Sequence, residues 1–315
     1  MPSTAPRLTG DGRSHAKIIL FGEHAVVYGA PAVALPMTRL AATVHVRPEA
    51  SGIHIDSALY SGEAERAPDH LLPVVTAIRA AIRRIAPLTP GLWVRIGSSI
   101  PHERGLGSSA AVAGAIARAV ASLANRDLDA QDCHRIIQEA ERVAHGAPSG
   151  LDAYAVVADG PILFRQGQIS TLTFAEPLTF VIADSGIPGS TSEAVGDVRR
   201  RRNAEPERID GIMLDLAAGA ERAVTAMQTG DARAVGSEMD RAHQGLVDLG
   251  VSTPGLNALV DAARAAGALG AKLTGGGLGG CVIALAESEP HAERLETALR
   301  HAGAPRTWTL TAGEA

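Results

Sequence analysis

The alternation of apolar and polar residues predicts short strands in the first half of the chain. Leu40–Arg47 alternates apolar with polar side chains, which is typical of a strand with one buried face. Apolar runs predict further strands at Lys17–Phe21, Ile53–Ile55, Leu92–Ile96, Ile162–Phe164, Ile169–Phe174 and Leu178–Ala183. Helical periodicity predicts helices at Leu71–Ile85, Ser108–Ala124 and Ala130–Ala144.

The second half of the chain is mainly helical in its pattern. In order, the pattern predicts a helical region from Thr191 to Gly267 broken near Pro206, Gly230 and Pro254, a strand–glycine loop–strand unit at Ala271–Leu285, a helix at His291–Ala302 and a strand at Arg306–Leu310. Because strands and helices mix without regular βαβ alternation, we expect an α+β fold. Its two domains would comprise residues 1–176 and 177–315, with the boundary near Glu176.

Charge and composition narrow the range of partners and compartments. The chain has 315 residues and a formal net charge of −5, which argues against a nucleic-acid binder with a basic surface. Its two cysteines, Cys133 and Cys281, are too few for a disulfide framework and fit a reducing cytoplasm. The segment Met1–His15 lacks the apolar core of a signal peptide. The apolar run Ala110–Ala124 is interrupted by Arg118, so we expect no membrane association.

A glycine-rich loop that runs directly into the helix predicted at Ser108–Ala124 indicates anion binding. Its residues are Gly105, Leu106, Gly107, Ser108, Ser109, Ala110 and Ala111. Glycines let backbone N–H groups face one centre, and the first amides of a helix attract negative charge. A phosphate is therefore the expected ligand. The structural alternative is an ordinary turn with a serine N-cap.

The same loop also satisfies the dinucleotide pattern G-x-G-x-x-[G/A]. Asp127 follows at about the distance of a ribose-binding acid. However, the preceding predicted strand ends near Ile96, and a long loop containing Pro101 separates it from the glycines. Asp127 itself lies in a polar linker between helices. We therefore favour phosphate binding over dinucleotide binding.

Two acids and two lysines stand out from their surroundings. Glu141 ends a predicted helix, and Asp152 follows a chain reversal; one of the two with a loop hydroxyl would suit Mg²⁺. The alternatives are a solvated helix-end charge for Glu141 and a helix cap for Asp152. Of 29 basic residues, only Lys17 and Lys272 are lysines, which marks both as candidates for a site that needs a compact ammonium.

Two further segments have unusual backbones. Five glycines fall within residues 275–280, inside the segment Lys272–Cys281, which indicates close approach of the backbone to another group. The alternative is a flexible surface hairpin. The polar turn Asp184–Thr191 leads into a helix, and it is either a substrate-binding lip or a plain helix N-cap.

In combination, these segments resemble the GHMP kinase superfamily. KIILFGEHAVVYG at Lys17–Gly29, PHERGLGSSAA at Pro101–Ala111 and the glycine-rich segment Lys272–Cys281 are similar to its three motifs, in the family's order. HGAPSGLD at His145–Asp152 and the turn DSGIPGST resemble the members that phosphorylate mevalonate. The residues before Lys17, His15-Ala16, and the charged run His102-Glu103-Arg104 depart from the family pattern.

The resemblance implies a fold and a reaction. The fold would have an N-terminal domain like ribosomal protein S5 domain 2 and a ferredoxin-like C-terminal domain. The reaction would be ATP-dependent phosphorylation of the primary hydroxyl of (R)-mevalonate. Asp152 and Lys17 would be catalytic, Ser109 and Glu141 would hold Mg²⁺, and His24 and Thr191 would contact mevalonate. The oligomeric state stays open, a homodimer included.

Other functions on the same fold stay open at this point. A phosphomevalonate kinase would need extra basic side chains at the turn Asp184–Thr191, which has none, although Arg199–Arg202 follow on the next helix. A diphosphomevalonate decarboxylase fits the first motif less well. A non-catalytic metabolite sensor would not need Lys17 and Asp152 together.

Overall fold

The computed structural model describes residues 8–87, 89–146 and 148–313. In chain order, the elements of these residues are β1 (Gly10–Phe21), β2 (Ala32–Glu49), β3 (Gly52–Ser57), β4 (Ser61–Glu63), α1 (Leu72–Ile85), β5 (Gly91–Ser98), α2 (Ser108–Leu123), α3 (Ala130–His145), α4 (Leu151–Ala155), β6 (Ile162–Arg165), β7 (Gln168–Thr171), β8 (Leu178–Asp184), α5 (Thr191–Ala204), α6 (Pro206–Thr229), α7 (Ala232–Asp248), α8 (Pro254–Ala265), β9 (Gly270–Thr274), β10 (Cys281–Ala286), α9 (Glu289–His301) and β11 (Arg306–Ala312). This mixture of strands and helices confirms the α+β prediction. The first seven residues of the N-terminal segment and Ala147 of the predicted chain reversal lie outside the described residues.

The described residues form two compact units. The first unit consists of the described residues of Met1–Lys17, Met37–Pro101 and Gly107–Val157. The second consists of those of Ile18–Pro36, His102–Leu106 and Ala158–Ala315. Because the two units interleave along the chain, they do not test a single boundary near Glu176, which stays a prediction.

The first unit combines a β-sheet with a group of helices. Its strands follow the order β4-β3-β5-β2, and β1 pairs with β2. Strand β5 is antiparallel to β2 and parallel to β3, so Val94 lies opposite Val46 on one side and Ile55 on the other. All three side chains are buried. Helices α1, α2 and α3 contact one another, and their apolar faces supply the rest of this core.

Strand β1 approaches helix α2 so closely that only glycine fits at two positions. A Cβ atom at Gly12 would lie 2.0 Å from the carbonyl oxygen of Ala115, and one at Gly10 would lie 2.2 Å from that of Ala119. Both glycines belong to the strand, which begins at Gly10, so the predicted start at Lys17 is wrong. Glycines are usual in turns, but here they serve close packing of a strand on a helix.

The second unit contains a four-stranded antiparallel sheet in the order β11-β8-β10-β9. In its central strands Ile182 pairs with Ile283, and Ile283 pairs with Lys272 of β9. Helices α7 and α8 contact β9, and α9 contacts β8. The first residues of β2 pair with β6, which forms a hairpin with β7. The residues between β9 and β10 are the five-glycine segment.

Most predicted elements are confirmed, and the differences have physical causes. The helical region divides near Pro206, Gly230 and Pro254 as predicted. Strand β7 ends at Thr171 and not at the predicted Phe174. Leu172 and Phe174 are apolar because their side chains are buried, and neither residue belongs to the strand. Helix α4 has only five residues, too few for a periodic signal. Among the described helices, none is long and apolar enough to cross a membrane.

Candidate active site

The predicted phosphate loop leads into the first turn of α2. Gly105 and Gly107 both have a φ angle of 72°, in the left-handed region that favours glycine. Gly107 is the N-cap of α2 and offers no side chain to the first amides of the helix. These amides lack intrahelical acceptors, and the positive end of the helix dipole lies there. The start of α2 is therefore suited to an anion.

The side chain of Lys17 passes directly over Gly107. A Cβ atom at Gly107 would lie 2.9 Å from Cγ and Cε of Lys17. The ammonium nitrogen Nζ of Lys17 lies 3.0 Å from Oδ1 of Asp152. Asp152 lies in the first turn of α4, whose N-cap is Gly150, so the alternative reading of Asp152 as a helix cap is wrong. The predicted catalytic pair thus meets beside the start of α2.

Ser109 and Glu141 form a second contact in the first unit. The hydroxyl of Ser109 donates a hydrogen bond of 2.6 Å to Oε1 of Glu141. The side chain of Glu141 is 3% exposed, so it is not a solvated helix-end charge. Burial, and then the negative charge of Asp152, raise the pKa of Glu141 to about 7. Nε2 of His145 lies 3.7 Å from Oε2 of Glu141, and burial lowers the pKa of that imidazole.

This pair has the donor chemistry of a hard-cation site. A hydroxyl and a carboxylate are oxygen ligands, and a cation beside Glu141 would compensate its buried negative charge. In the described part of the chain, no group of three or more His, Cys, Asp or Glu side chains forms a metal cluster. Mg²⁺ commonly uses only one or two carboxylates and completes its shell with phosphate and water. Ser109 and Glu141 therefore fit Mg²⁺.

In the second unit, Gly276 lies between the two residues expected to contact a substrate. His24 has a φ angle of 59° and donates through Nε2 to the carbonyl oxygen of Gly276 at 2.9 Å. Nδ1 of His24 is buried and has no hydrogen-bond partner among the described residues. Burial lowers the pKa of His24, which favours the neutral ring. A Cβ atom at Gly276 would lie 2.9 Å from Cα of Thr191.

The turn before α5 contains a helix cap. The hydroxyl of Ser190 accepts a hydrogen bond from the backbone N–H of Glu193 at 3.3 Å. Thr191 is the first residue of the helix. The prediction of a helix N-cap in this turn is therefore confirmed at Ser190. The capping hydroxyl is that of Ser190 and not that of Thr191.

The five-glycine segment is packed and is not a flexible surface hairpin. A Cβ atom at Gly277 would lie 2.2 Å from the carbonyl oxygen of Val251, and one at Gly279 would lie 2.3 Å from that of Pro188. Lys272, in strand β9 just before the segment, is fully buried and forms an ion pair with Glu23. This pair joins the glycine segment to the motif that carries His24. It accounts for a lysine at this position.

The structure adds a charged cluster that the sequence did not indicate. Asp184, the last residue of β8, is fully buried and contacts both Arg104 and Arg306. The available signal was an aspartate that directly follows the apolar run Phe180–Ala183. Arg104 is one of the residues that depart from the family pattern, and its partner explains why a bulky charged residue is accommodated there.

Comparison with known proteins assigns both halves of the chain to one family. The model of the GHMP kinases N terminal domain matches residues 73–160, and that of the GHMP kinases C terminal matches residues 223–305. The chain is 36% identical over 308 residues to the mevalonate kinase of Pyrococcus abyssi, which covers 91% of each chain. It is 37% identical over 309 residues to that of Thermococcus gammatolerans, covering 91% of this chain and 92% of the relative.

A solved structure agrees with these relatives over the whole fold. The structure of L. major mevalonate kinase in complex with R-mevalonate matches with a TM-score of 0.83 and 26% sequence identity. The match covers 99% of each chain. The two-domain fold of that structure is thus present in this chain.

Proposed function

This chain belongs to the GHMP kinase family, and on that basis we propose that it phosphorylates the primary hydroxyl of (R)-mevalonate with ATP. The product would be 5-phosphomevalonate, in the mevalonate pathway of isoprenoid biosynthesis. The observation that carries the proposal is the ion pair of Lys17 with Asp152 beside the glycine-capped start of α2. The names of the relatives at 36–37% identity support the choice of acceptor.

The triphosphate would bind at the loop and the first turn of α2. The residues concerned are Gly105, Leu106, Gly107, Ser108, Ser109, Ala110 and Ala111. Free amides and the helix dipole stabilise phosphate oxygens without a lysine in the loop itself. Phosphoryl transfer depends mainly on positioning and charge neutralisation, which a rigid helix start supplies.

Asp152 and Lys17 would act on the acceptor hydroxyl. Asp152 is one-third exposed and accepts or orients the proton of the hydroxyl as its oxygen attacks the γ-phosphorus atom. Lys17 is buried, and its ammonium stabilises the developing alkoxide and the charge on the transferred phosphoryl group. The 3.0 Å contact keeps the two groups together before the substrate arrives.

Mg²⁺ would be held by Ser109 and Glu141. When bound, it neutralises phosphate charge and thereby favours transfer. Glu141 supplies the negative charge and Ser109 the hydroxyl oxygen, and their hydrogen bond at 2.6 Å already aligns the two side chains. The raised pKa of Glu141 fits a carboxylate whose counter-charge comes from a ligand.

His24 and Thr191 would contact mevalonate. Nδ1 of His24 is an acceptor that lacks a protein partner in the described part of the chain, and mevalonate has hydroxyl groups to donate. An acceptor that already carries a phosphate would need free basic groups at the turn 184–191. Arg104 and Arg306 lie at this turn, but both contact Asp184. On α5, Arg200 pairs with Asp197 and Arg202 with Asp210. These pairings favour the unphosphorylated acceptor.

The remaining assignments follow from family membership. We assign residues 1–176 to the N-terminal domain and 177–315 to the C-terminal domain, and the two family models fall on either side of that boundary. Cys133 and Cys281 are both free and buried, which supports a cytoplasmic compartment.

An acceptor panel tests the proposed function. ADP release is measured with Mg·ATP and, in turn, mevalonate, 5-phosphomevalonate, galactose and homoserine. We expect turnover with mevalonate alone, and none with Lys17→Met, which serves as the background control. Turnover with another acceptor would contradict the substrate assignment. ATP binding without any turnover would instead support a sensor.

A further inference from the structure

A buried carboxylate outside the proposed catalytic pair joins separate segments of the second unit. Asp184 is fully buried, and its Oδ1 lies 2.8 Å from Nε of Arg104. Arg306 donates through Nη2 to Oδ2 at 2.7 Å, and the backbone N–H of Gly186 donates to Oδ1 at 2.8 Å. A carboxylate is stable in such a place only when it is paired. Asp184 and its partners therefore move together.

The two segments that meet at Asp184 are also bonded through their backbones. The N–H of Gly189 donates to the carbonyl oxygen of Glu103 at 2.9 Å, and Nη2 of Arg104 donates to that of Gly186 at 3.2 Å. Glu103 has a φ angle of 55°, a left-handed conformation that a non-glycine residue keeps only when its surroundings impose it. The loop 102–106 is thus held in one conformation by the turn 184–191.

The five-glycine segment locks the same turn from another direction. Ser185 donates through its backbone N–H to the carbonyl oxygen of Gly280 at 2.9 Å, and Gly280 donates to that of Ile187 at 2.8 Å. A Cβ atom at Gly280 would lie 3.0 Å from the carbonyl oxygen of Arg104. These contacts are tight, so a displacement of the loop 102–106 is transmitted to the turn 184–191.

We propose that Asp184 is a positioning residue that couples nucleotide binding to acceptor binding. The proposal rests on the proposed function, which assigns nucleotide binding to the phosphate loop and acceptor binding to Thr191. Arg104 directly precedes Gly105 of that loop, and the turn ends at Thr191. A nucleotide that shifts the phosphate loop shifts Arg104 with it, and through Asp184 it shifts the turn. The link is reciprocal, so each substrate raises the affinity for the other by the same factor.

Calorimetry of (R)-mevalonate binding with and without a non-hydrolysable ATP analogue and Mg²⁺ tests this coupling. In the wild type we expect the analogue to lower the Kd for mevalonate by about 5- to 150-fold, the usual range of such coupling. In Asp184→Asn the ratio of the two Kd values should fall to about 1, since a neutral amide does not hold two guanidinium groups.

A matched control exists in the same unit. Glu238 is buried on α7 and contacts Arg222 of α6 and Arg241, each at 2.7 Å. Glu238→Gln therefore removes a similar carboxylate from between two arginines, and the hydrogen bonds that it removes go to Arg222 and Arg241 and not to Arg104. It should lower the melting temperature but keep the wild-type ratio of Kd values. A purely structural role for Asp184 would make the two variants behave alike.

A second variant tests the same contact in case Asp184→Asn does not fold. Arg104→Met cuts the same link from the other side and should abolish the coupling equally, and the double variant should lose no more. A wild-type ratio in Arg104→Met, or loss of the ratio in Glu238→Gln, would overturn the proposal. So would wild-type protein that binds both ligands independently, which leaves the proposed function intact. Wild-type protein that binds no mevalonate at all would overturn both.

Discussion

Lys17 and Asp152 differ in exposure, and this difference separates their chemical tasks. Lys17 is buried in β1, so its ammonium acts as a fixed charge. Asp152 is about one-third exposed, so a substrate hydroxyl can approach its carboxylate. Glu141 lies deeper than Asp152, and burial raises the pKa of its carboxyl to about 7. We therefore propose that Asp152 handles the proton and that Glu141 binds the metal.

Asp152→Asn separates catalysis from nucleotide binding. We expect kcat to fall by at least ~10²-fold, because the amide accepts no proton from the hydroxyl. The Kd for ATP should stay close to that of the wild type, because the phosphate loop does not include Asp152. Steady-state kinetics and calorimetry measure the two quantities, with exposed Asp159→Asn as the control. A variant that retains most of its turnover would remove Asp152 from the mechanism.

The pKa of Glu141 makes stability depend on pH in a defined direction. Its carboxyl has an ordinary pKa of 4.5 and a folded-state pKa of about 7, so the folded protein holds the proton more tightly than the unfolded chain. The resulting stabilisation is complete below pH 4.5 and is lost as the pH rises through 7. Relative to Glu141→Gln, metal-free wild type should lose on the order of 3 kcal/mol across this window.

Urea unfolding of the two metal-free proteins between pH 5 and 8 measures this difference. The free energies of unfolding should diverge as the pH rises, with the wild type falling faster. Parallel profiles would show that Glu141 does not titrate in this window.

At the scale of elements, the absence of a side chain at Gly107 determines the properties of the start of α2. Gly107 gives the chain a left-handed turn, exposes the first amides of the helix and makes room for Lys17. The proposed anion site and the ammonium of Lys17, the proposed catalytic cation, are therefore brought together by a residue without a side chain. The adjoining contact of β1 with α2 at Gly12 keeps the strand that carries Lys17 close to the same helix.

Gly107→Ala tests this arrangement. The added methyl group would displace Lys17, and a displacement of about 1 Å costs roughly 10²-fold in catalysis. Gly167→Ala is the control, because Gly167 also has a positive φ angle, 82°, but has no atom within 4 Å of an added Cβ. Both variants lose stability because of the positive φ angle, and Gly107→Ala loses more because its methyl group also meets Lys17 and Val156. Only Gly107→Ala should lose kcat/KM. Equal activities would refute the role of Gly107.

At the scale of the whole molecule, the sequence predicts what depends on local pattern. Helices α1, α2 and α3 and the breaks at Pro206 and Gly230 follow from periodicity and breakers, and all were confirmed. The loop Gly105–Ala111 was recognised because its glycines and its helix are contiguous. The roles of Lys17 and Asp152 came from resemblance to a family, since these residues are far apart in sequence.

Features that depend on tertiary contact were not predictable. No spacing rule joins Arg104, Asp184 and Arg306. The pairing of β8 with β11 places Arg306 opposite Asp184, and Arg104 reaches the same carboxylate from the loop 102–106. The start of β1 was missed because its glycines gain their meaning from the backbone of α2. In both cases the feature depends on a contact with a distant part of the chain, and a local sequence pattern carries no information about such a contact.

Phosphorus-31 NMR of the wild-type reaction with ATP, Mg²⁺ and (R)-mevalonate tests the central claim most directly. We predict a new phosphomonoester whose phosphorus couples to the two protons of the C5 methylene group, together with an equal amount of ADP. A phosphorus signal without that coupling would place the phosphate on the C3 hydroxyl. Such a product, or the release of inorganic phosphate alone, would contradict transfer to the primary hydroxyl.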